Sequence, residues 1–513
     1  MRMLALSLVA IALFSIQMAL AAAPGDNMLD DPGFEKGPWP QSEAWHGEQT
    51  LVEEPVLSGE KAGRLSVGEE GDASIYTGYK PCLIGLDYAF TIQARGTGTL
   101  SLRSIQYRHG AEDKYLIERP ENHVELTDEW QELAIEISPR DPLVTRLAVV
   151  VQLDGADAEA FLDDALLTPK GLPGGELTVQ SSYMMVTPGV DFDVVISARC
   201  DAGPVTEGTL SFAIAFGDEV EREEVAITGE TTTLTLAPPP GADPGEGMIS
   251  IVNAEVGGGT TAWIDVVDTE TFARFEALAE AAKLDTPAHL LFLGDSLTDQ
   301  QRGHNYTDMV SFWLNRVKSD VSYRNAGVGG DYITRMWQRL QGEDAHRQEM
   351  YEGLFDPTPT RVFIWTGHND SKLKPKPEYA TPDDYPFDPV VPLDEFEETF
   401  VTAIEHIREQ APEAEFTVIS ASSSVHEITR ATVVKRIAER GNGGSYFGKP
   451  DVLEQFNERM QAVAETTGAG YLDVYEPTRT AEDKPSLFTA DGVHMSHAGN
   501  LLVAELMLEY LGE

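Results

Sequence analysis

Near the middle of the chain, a serine stands where a nucleophile could act. Ser296 follows the apolar run HLLFLG, which is typical of a buried strand, and the nearby Gly294 permits a tight turn. A serine hydroxyl is a weak nucleophile and needs a neighbouring base. Thr298 occupies the place of the second glycine in the G-x-S-x-G nucleophile elbow, so that motif is absent. The alternative for this segment is an ordinary turn after a strand.

A carboxylate and a histidine share one loop close to the C-terminus. Asp491 precedes His494 by three residues, a spacing at which a carboxylate can orient an imidazole and stabilise its charged form. His497 competes for this role, but it stands where the last helix should begin and has no Asp at the matching spacing. We therefore favour His494. The alternative for Asp491 is the capping of a turn.

Two other motifs could stabilise a developing negative charge. The segment from Asn325 to Asp331 places consecutive glycines ahead of a helix, where backbone N–H groups lie near the positive helix end. Asn369 follows a third apolar run, and its amide could donate a hydrogen bond to an oxyanion. The alternatives are a plain glycine turn and an Asx-type turn.

The elements that position these motifs alternate between apolar strands and amphipathic helices. Such a pattern predicts a parallel sheet covered by helices on both faces, with ligands bound at the carboxyl ends of the strands. The Asp-His loop instead precedes the last helix. We expect helices at Glu270 to Lys283, Tyr306 to Lys318, Asp331 to Leu340, Leu393 to Glu409, Val452 to Thr466 and Ala498 to Leu511.

The first half of the chain has a different pattern, in which short runs of alternating apolar and polar residues are separated by turns. Residues 25–170 predict a β-sandwich, and residues 171–268 predict a second, immunoglobulin-like sandwich of about 100 residues. Residues 269–286 would form a connecting helix and linker. In the first domain the segments LDDPGFEKGPW, TDEWQELAIEI and FLDDALLTP resemble the jelly-roll carbohydrate-binding, or galactose-binding-like, modules of secreted enzymes.

Four motifs in residues 287–513, in chain order GDSLT, GVGGD, GHND and DGVH, together resemble the SGNH or GDSL hydrolase family. The resemblance implies a flavodoxin-like α/β/α fold. It also implies that catalysis needs no metal. It covers less than half of the chain. Two long inserts, Ser371 to Pro392 and His426 to Pro450, depart from a compact family member and would flank the site.

The same resemblance implies a role for each motif residue. Ser296 would be the nucleophile, His494 the general base and then acid, and Asp491 the residue that orients His494. The oxyanion donors would be the backbone N–H groups of Ser296 and Gly330 and the side chain of Asn369.

Composition and the N-terminal segment restrict the partners of the protein and the compartment in which it acts. The chain has 513 residues and a net charge of −48, which argues against binding to nucleic acid or to an anionic membrane surface. Residues 1–21 predict a cleaved secretory signal peptide and hence a periplasmic or extracellular protein; the alternative is an uncleaved anchor from Met3 to Leu20. Cys82 and Cys200 are interpreted as two buried free thiols rather than a pair.

These observations predict a secreted serine esterase that removes O-acetyl groups from a polysaccharide. The alternatives are a lipid or lysophospholipid esterase of the same fold and a carbohydrate-binding protein with a silent hydrolase domain. Substrate-binding residues and the oligomeric state are left open. Catalysis would need no cofactor, but acids near Glu35, Asp163 and Asp164 could hold a structural calcium ion.

Some aromatic and basic side chains have two interpretations. Trp39, Trp45, Tyr76, Tyr79 and Tyr107 could stack on sugars or could be core residues, whereas Trp130 is expected in the core. The basic run from Lys372 to Lys376 could meet an anionic polymer, but we favour a solvated loop.

Overall fold

The protein is described here by a computed structural model. It divides into two compact units: residues up to Ser182 together with Pro188–Val266, and Tyr183–Thr187 together with Val267–Glu513. The predicted signal peptide, residues 1–21, lies outside the described residues. The described residues are 26–39, 47–68, 71–83, 85–108, 115–118, 123–141, 144–216, 219–300, 303–343, 347–376, 378–441 and 443–513.

The first unit begins with an antiparallel nine-stranded sheet built on two long strands, β5 and β9. These two pair along most of their length, and register shifts interrupt the pairing at three places. Side chains alternate between core and solvent, as in β8, where Leu133, Ile135 and Ile137 are buried. The strands are β1 (Glu48–Val52), β2 (Ala62–Ser66), β3 (Asp72–Tyr76), β4 (Lys80–Pro81), β5 (Tyr88–Arg108), β6 (Tyr115–Glu118), β7 (His123–Glu125), β8 (Gln131–Ile137) and β9 (Val144–Pro169).

A second β region follows in the chain. One sheet contains β10, β12, β13 and β16, and another joins β15, β14, β17 and β18 in that order, all antiparallel. The all-β prediction for the N-terminal half is therefore confirmed. The strands are β10 (Glu176–Val179), β11 (Tyr183–Val186), β12 (Phe192–Cys200), β13 (Gly203–Pro204), β14 (Thr209–Phe216), β15 (Glu219–Ala226), β16 (Thr232–Leu236), β17 (Gly245–Asn253) and β18 (Gly258–Val266).

The second unit contains the predicted parallel sheet. Its strand order is β20-β19-β21-β22-β23, the flavodoxin-like order in which the first strand of the domain lies second. Gly294 is in register with Gly327 on one side and Trp365 on the other, so three strands end at the same edge. The strands are β19 (Ala288–Gly294), β20 (Val321–Gly327), β21 (Arg361–Trp365), β22 (Glu415–Ile419) and β23 (Gly470–Leu472).

Helices cover both faces of this sheet, which gives three layers. Leu291 and Leu293 point into a core shared with Phe396 and Phe456, while Phe292 on the opposite face packs edge-on against Tyr306 at 6.0 Å. The helices are α1 (Thr269–Ala281), α2 (Tyr306–Val317), α3 (Ile333–Leu340), α4 (Leu393–Gln410), α5 (His426–Arg440), α6 (Pro450–Thr467), α7 (Tyr475–Thr480) and α8 (His497–Gly512).

Neither α5 nor α7 was predicted, and α5 lies within the expected insert from His426 to Pro450. Only Thr429 and Val433 of α5 are buried, so the helix shows little apolar periodicity. None of the described helices is both long enough and apolar enough to cross a membrane.

The cysteine and Trp130 interpretations need partial correction. Both cysteines are free, but only Cys82 is buried and Cys200 is half-buried. Trp130 is also half-exposed, and its ring lies 6.0 Å from the guanidinium of Arg95.

Candidate active site

Ser296 lies in the turn that follows β19. The carboxylate of Asp295 fixes this turn by accepting a hydrogen bond from the Leu297 N–H at 3.0 Å. Gly294 is required before it, because a Cβ there would come within 2.4 Å of the Thr298 hydroxyl and 2.6 Å of the Trp365 carbonyl oxygen. Close contacts of the backbone in this turn therefore fix the position of Ser296 at the end of β19.

The loop before α8 brings a histidine to this serine. Nε2 of His494 lies 2.9 Å from Oγ of Ser296, and Nδ1 lies 2.6 Å from Oδ2 of Asp491. Oδ1 of Asp491 accepts hydrogen bonds from the backbone N–H groups of Val493 and His494 at 2.8 and 3.0 Å. The structure thus places the serine, histidine and aspartate in one hydrogen-bonded chain, whereas His497 is the first residue of α8.

The electrostatics of this loop keep Asp491 ionised. Partial burial opposes ionisation, but hydrogen bonds from the His494 ring and from the backbone of His494 and Val493 outweigh it. Together they hold the pKa of Asp491 well below its usual range. An ionised carboxylate on Nδ1 orients the ring so that Nε2 faces the serine.

Two backbone N–H groups beside Ser296 are available to bind an anion. In the described part of the chain, neither the N–H of Ser296 nor that of Gly330 donates to an acceptor. Gly330 has φ +81°, a conformation that favours glycine. The preceding N–H, of Gly329, is already engaged by the Asp299 carboxylate at 2.9 Å.

Asn369 completes this edge of the site. It follows β21, is 5 % exposed, and donates one amide hydrogen to Oδ2 of Asp295 at 3.2 Å. Asp295 is itself buried, and burial raises its pKa to about 6 against the opposing hydrogen bonds from Leu297 and Asn369. The second amide hydrogen of Asn369 donates to no residue that the structure describes.

Sequence reasoning missed the ion pair that holds the glycine turn. Asp299 accepts hydrogen bonds from two nitrogens of Arg347 at 2.6 and 3.1 Å, and its Oδ2 also accepts the Gly329 N–H. Asp299 directly follows the GDSLT motif, which is a local signal. Arg347 is 48 residues further along and carries none.

A second missed carboxylate joins α3 to the Asn369 loop. Oδ1 of Asp370 accepts from the Ile333 N–H at 2.8 Å, and Oδ2 accepts from the Gly367 N–H at 3.0 Å. Burial raises the pKa of Asp370 to about 7. The side chain ties the exit of the glycine turn to the loop that carries Asn369.

A pocket of about 180 Å³ opens beside the loop from Asp491 to His494. One wall is α5, so a helix that was not predicted contributes to the pocket, and the second insert, His426 to Pro450, supplies six of the lining residues. The lining residues are Thr429, Thr432, Val433, Arg436, Ser445, Phe447, Asp491, Val493 and His494.

The basic run after Asn369 contains lysines in two different environments. Lys374 and Lys376 lie 3.5 and 4.0 Å from the carboxylate of Asp388 and are largely solvated, as predicted. Lys372 is half-buried instead, and its ammonium lies 5.3 Å from the ring centre of Tyr332 and 5.4 Å from that of Phe447.

The acids predicted to bind calcium are used differently in the structure. Oδ2 of Asp163 accepts from the backbone N–H groups of Leu57 and Ser58, and Oε1 of Glu35 accepts from that of Glu60. Asp164 accepts from the Ser58 hydroxyl. Within the described residues, no group of three or more His, Cys, Asp or Glu side chains could hold a metal ion. Calcium binding at this corner stays a prediction.

The predicted sugar-stacking aromatics separate into two groups. Trp39 is buried and stacks on Phe34 at 4.6 Å, so its role is in the core; Trp45 lies outside the described residues. Tyr79 lies 5.9 to 6.5 Å from three further tyrosine rings, and Tyr115 is 50 % exposed. The tyrosine cluster consists of Tyr76, Tyr79, Tyr107 and Tyr115.

The parallel sheet and the serine at its carboxyl edge define a hydrolase domain of the α/β/α class. Residues 292–502 match the family model of the GDSL-like lipase/acylhydrolase family. The chain thus carries a GDSL-like lipase/acylhydrolase domain, and by class it is a carboxylic ester hydrolase. No curated protein matches the sequence at a significant level.

Solved structures resemble the two halves of the chain separately. A lipase/acylhydrolase from Enterococcus faecalis is 19% identical over 44% of this chain and 95% of its own, with a TM-score of 0.31. A CBM22 xylan-binding domain from Paenibacillus barcinonensis is 15% identical over 29% of this chain and 97% of its own, with a TM-score of 0.23. A CBM61 module in complex with β-1,4-galactotriose is 19% identical over 28% of this chain and 100% of its own, with a TM-score of 0.21. Similarity at this level of identity and TM-score does not indicate a shared function.

Proposed function

We propose that the protein is an exported serine esterase that removes O-acetyl groups from a polysaccharide. The observation that carries the proposal is the hydrogen-bonded chain from Ser296 through His494 to Asp491, beside two backbone N–H groups that have no acceptor in the described structure.

The proposed reaction begins with proton transfer from Ser296 to Nε2 of His494 as Oγ attacks the ester carbonyl carbon. The resulting oxyanion accepts hydrogen bonds from the N–H groups of Ser296 and Gly330 and from the free amide hydrogen of Asn369. His494 then gives its proton to the leaving alcohol, which leaves an acyl group on Ser296. Water, activated by His494, releases the acid and restores the serine.

The pocket wall carries polar groups that could bind a sugar, alongside the apolar side chains of Val433, Phe447 and Val493. Thr429, Thr432, Arg436 and Ser445 present hydroxyl and guanidinium groups beside His494. Thr429 and Thr432 already donate to the carbonyl oxygens of His426 and Ile428, so an alkyl chain would leave only Ser445 and Arg436 without a partner, at a cost of roughly 1–3 kcal/mol for the neutral hydroxyl. A sugar hydroxyl could satisfy them instead.

Two features of the first half support a polymeric, extracytoplasmic substrate. The N-terminal segment has the composition of a signal peptide, and the tyrosine cluster gathers four partly exposed rings in one place. Flat aromatic rings with hydroxyl tips suit the apolar faces and hydroxyl edges of sugars.

Release of acetate from a panel of acetylated glycans tests the proposal. Wild-type protein should release acetate from at least one of them, and Ser296→Ala should release at least a thousandfold less. The alternative, a binding protein with a silent hydrolase domain, predicts no release by either protein. Equal release by both proteins would reject the serine mechanism.

A further inference from the structure

We propose that the pocket on α5 is a subsite for an anionic group, specifically a carboxylate, on the ester substrate. This inference rests on the proposed function, since it names the chemistry of the substrate that reaches Ser296. Its basis is the position of two cations: Arg436 lines the pocket together with Phe447, and Lys372 contacts the Phe447 ring.

Arg436 is the cation that lines the pocket. It lies on α5, is half-buried, and shares the pocket wall with His494. It forms no ion pair or hydrogen bond with any residue that the structure describes. The next arginine toward the start of this helix, Arg430, is bound by both oxygens of Asp383. A guanidinium without a carboxylate partner beside a catalytic histidine is placed to bind one from a ligand.

Lys372 is the second cation. Its ammonium contacts the rings of Tyr332 and Phe447 and has no carboxylate within ion-pair distance in the described structure. Lys374 and Lys376 differ because both face Asp388. Burial lowers the pKa of Lys372, and the nearby carboxyl of Asp370 opposes that change. A bound anion would restore the lost solvation of the ammonium.

A backbone bridge connects the loop that carries Lys372 to the loop after α5 that carries Phe447. The N–H of Leu373 donates to the Tyr446 carbonyl oxygen at 2.9 Å, and the N–H of Tyr446 donates to the Leu373 carbonyl oxygen at 3.1 Å. Lys372 and Phe447 are the next residues outward from this bridge. Phe447 therefore belongs both to the pocket wall and to the Lys372 contact, which joins the two cations in one surface.

The local charge is unusual for this chain. A molecule with a net charge of −48 repels anions at long range, so specific recognition of a carboxylate needs cations that are not neutralised nearby. The carboxylate could come from a uronic acid in the glycan or from the acyl group itself. The Phe447 ring offers a face for the sugar that carries it.

Two pairs of substrates, each with and without a carboxylate, test the inference in the full-length protein. The ratio of kcat/KM for mono-4-nitrophenyl succinate to that for 4-nitrophenyl acetate tests an acyl carboxylate, and the ratio for acetylated polygalacturonate to acetylated xylan tests a uronic acid. Arg436→Gln should lower at least one ratio about tenfold or more, because hydrogen bonds to charged groups are worth that much. Lys435→Gln is the matched control, since Lys435 is exposed on the same helix and lies 3.9 Å from Glu439.

Binding provides a readout that does not depend on catalysis. Ser296→Ala protein is titrated calorimetrically with trigalacturonate, with xylotriose and with succinate, alone and combined with Arg436→Gln. Weaker binding of either anion in the double variant, with xylotriose unchanged, supports the subsite even if no acetate is released in the kinetic assay. Ratios and affinities unaffected by Arg436→Gln would overturn the subsite while leaving the esterase proposal standing.

Discussion

Among the side chains of the site, Asn369 has a hydrogen-bonding pattern that suits it to a single role, donation to an oxyanion. One amide hydrogen is committed to Asp295, and the other has no acceptor among the residues that the structure describes. This division gives Asn369 a fixed orientation before any substrate arrives. A donor that needs no reorientation during the reaction stabilises the oxyanion at little cost.

Asn369→Ala is expected to lower kcat by roughly 10²–10³ with a much smaller change in KM, because the lost hydrogen bond strengthens as the oxyanion forms. Steady-state kinetics on a small acetyl ester measure both constants. Asn457→Ala is the matched control: Asn457 is a buried amide that bonds to the backbone of Ala421, so it should lower the Tm and spare kcat. A similar loss of kcat in both variants would assign Asn369 a purely structural role.

His368, the neighbour of Asn369, makes the stability of the folded protein depend on pH. Burial, together with the positive charge of His494, lowers its pKa to about 4, and Nε2 lies 2.9 Å from the Ser422 hydroxyl. Between pH 6.5 and 4 the unfolded chain binds a proton at this residue that the folded protein does not bind. Stability is therefore lost as the pH falls through that window.

His368→Gln removes this linkage. The free energy of unfolding, measured with urea at pH 7 and pH 4, should fall less in the variant than in the wild type, by up to about 3 kcal/mol. Equal losses in the two proteins would show that His368 does not remain neutral in the folded state.

At the scale of elements, the site is an edge where three strand ends and one loop meet. The sequence predicted this edge because three of the four motifs follow predicted strands, and parallel strands end side by side. Helix α5 escaped prediction because its apolar positions are few. The Asp299–Arg347 pair escaped because no local pattern links residues 48 positions apart. Trp39 shows the same limit: nothing local distinguishes a stacking surface from a ring packed on Phe34.

Arg347→Gln tests whether that ion pair positions the oxyanion turn. Asp299 would keep its hydrogen bond from Gly329 but lose both guanidinium contacts, so the turn should become less well held. We expect kcat on a small acetyl ester to fall about tenfold with KM nearly unchanged.

Arg324→Gln is the comparison for this prediction. Arg324 donates to the carbonyl oxygens of Met350 and Gly353, away from the glycine turn, and its loss should affect the Tm rather than kcat. If the two variants change the Tm equally and neither changes kcat, the ion pair is structural only.

At the scale of the whole molecule, each compact unit carries one candidate surface: the tyrosine cluster in the first and the Ser296–His494–Asp491 site in the second. Both would act on one polymer if the first unit holds the substrate. The large negative charge gives no general attraction to polysaccharide, so retention would depend on local contacts such as these rings.

Tyr79→Ala combined with Tyr115→Ala should weaken binding to an insoluble acetylated glycan by at least about fivefold, since exposed aromatic anchors contribute more than 1 kcal/mol where they dominate a contact. Hydrolysis of a small soluble ester should not change. Leu172→Ala, an exposed apolar residue of the same unit, is the control. Unchanged retention on every glycan tested would leave the cluster without a binding role.

The proposed mechanism requires that Ser296 carries the acyl group during turnover. Mass spectrometry of protein quenched within milliseconds of mixing with 4-nitrophenyl acetate measures this directly. We expect an added acetyl mass on the peptide that contains Ser296, and no such mass on the same peptide of Ser296→Ala. Acetate release by the wild type with no acetyl group on that peptide at any time, or with the group on another residue, would contradict it.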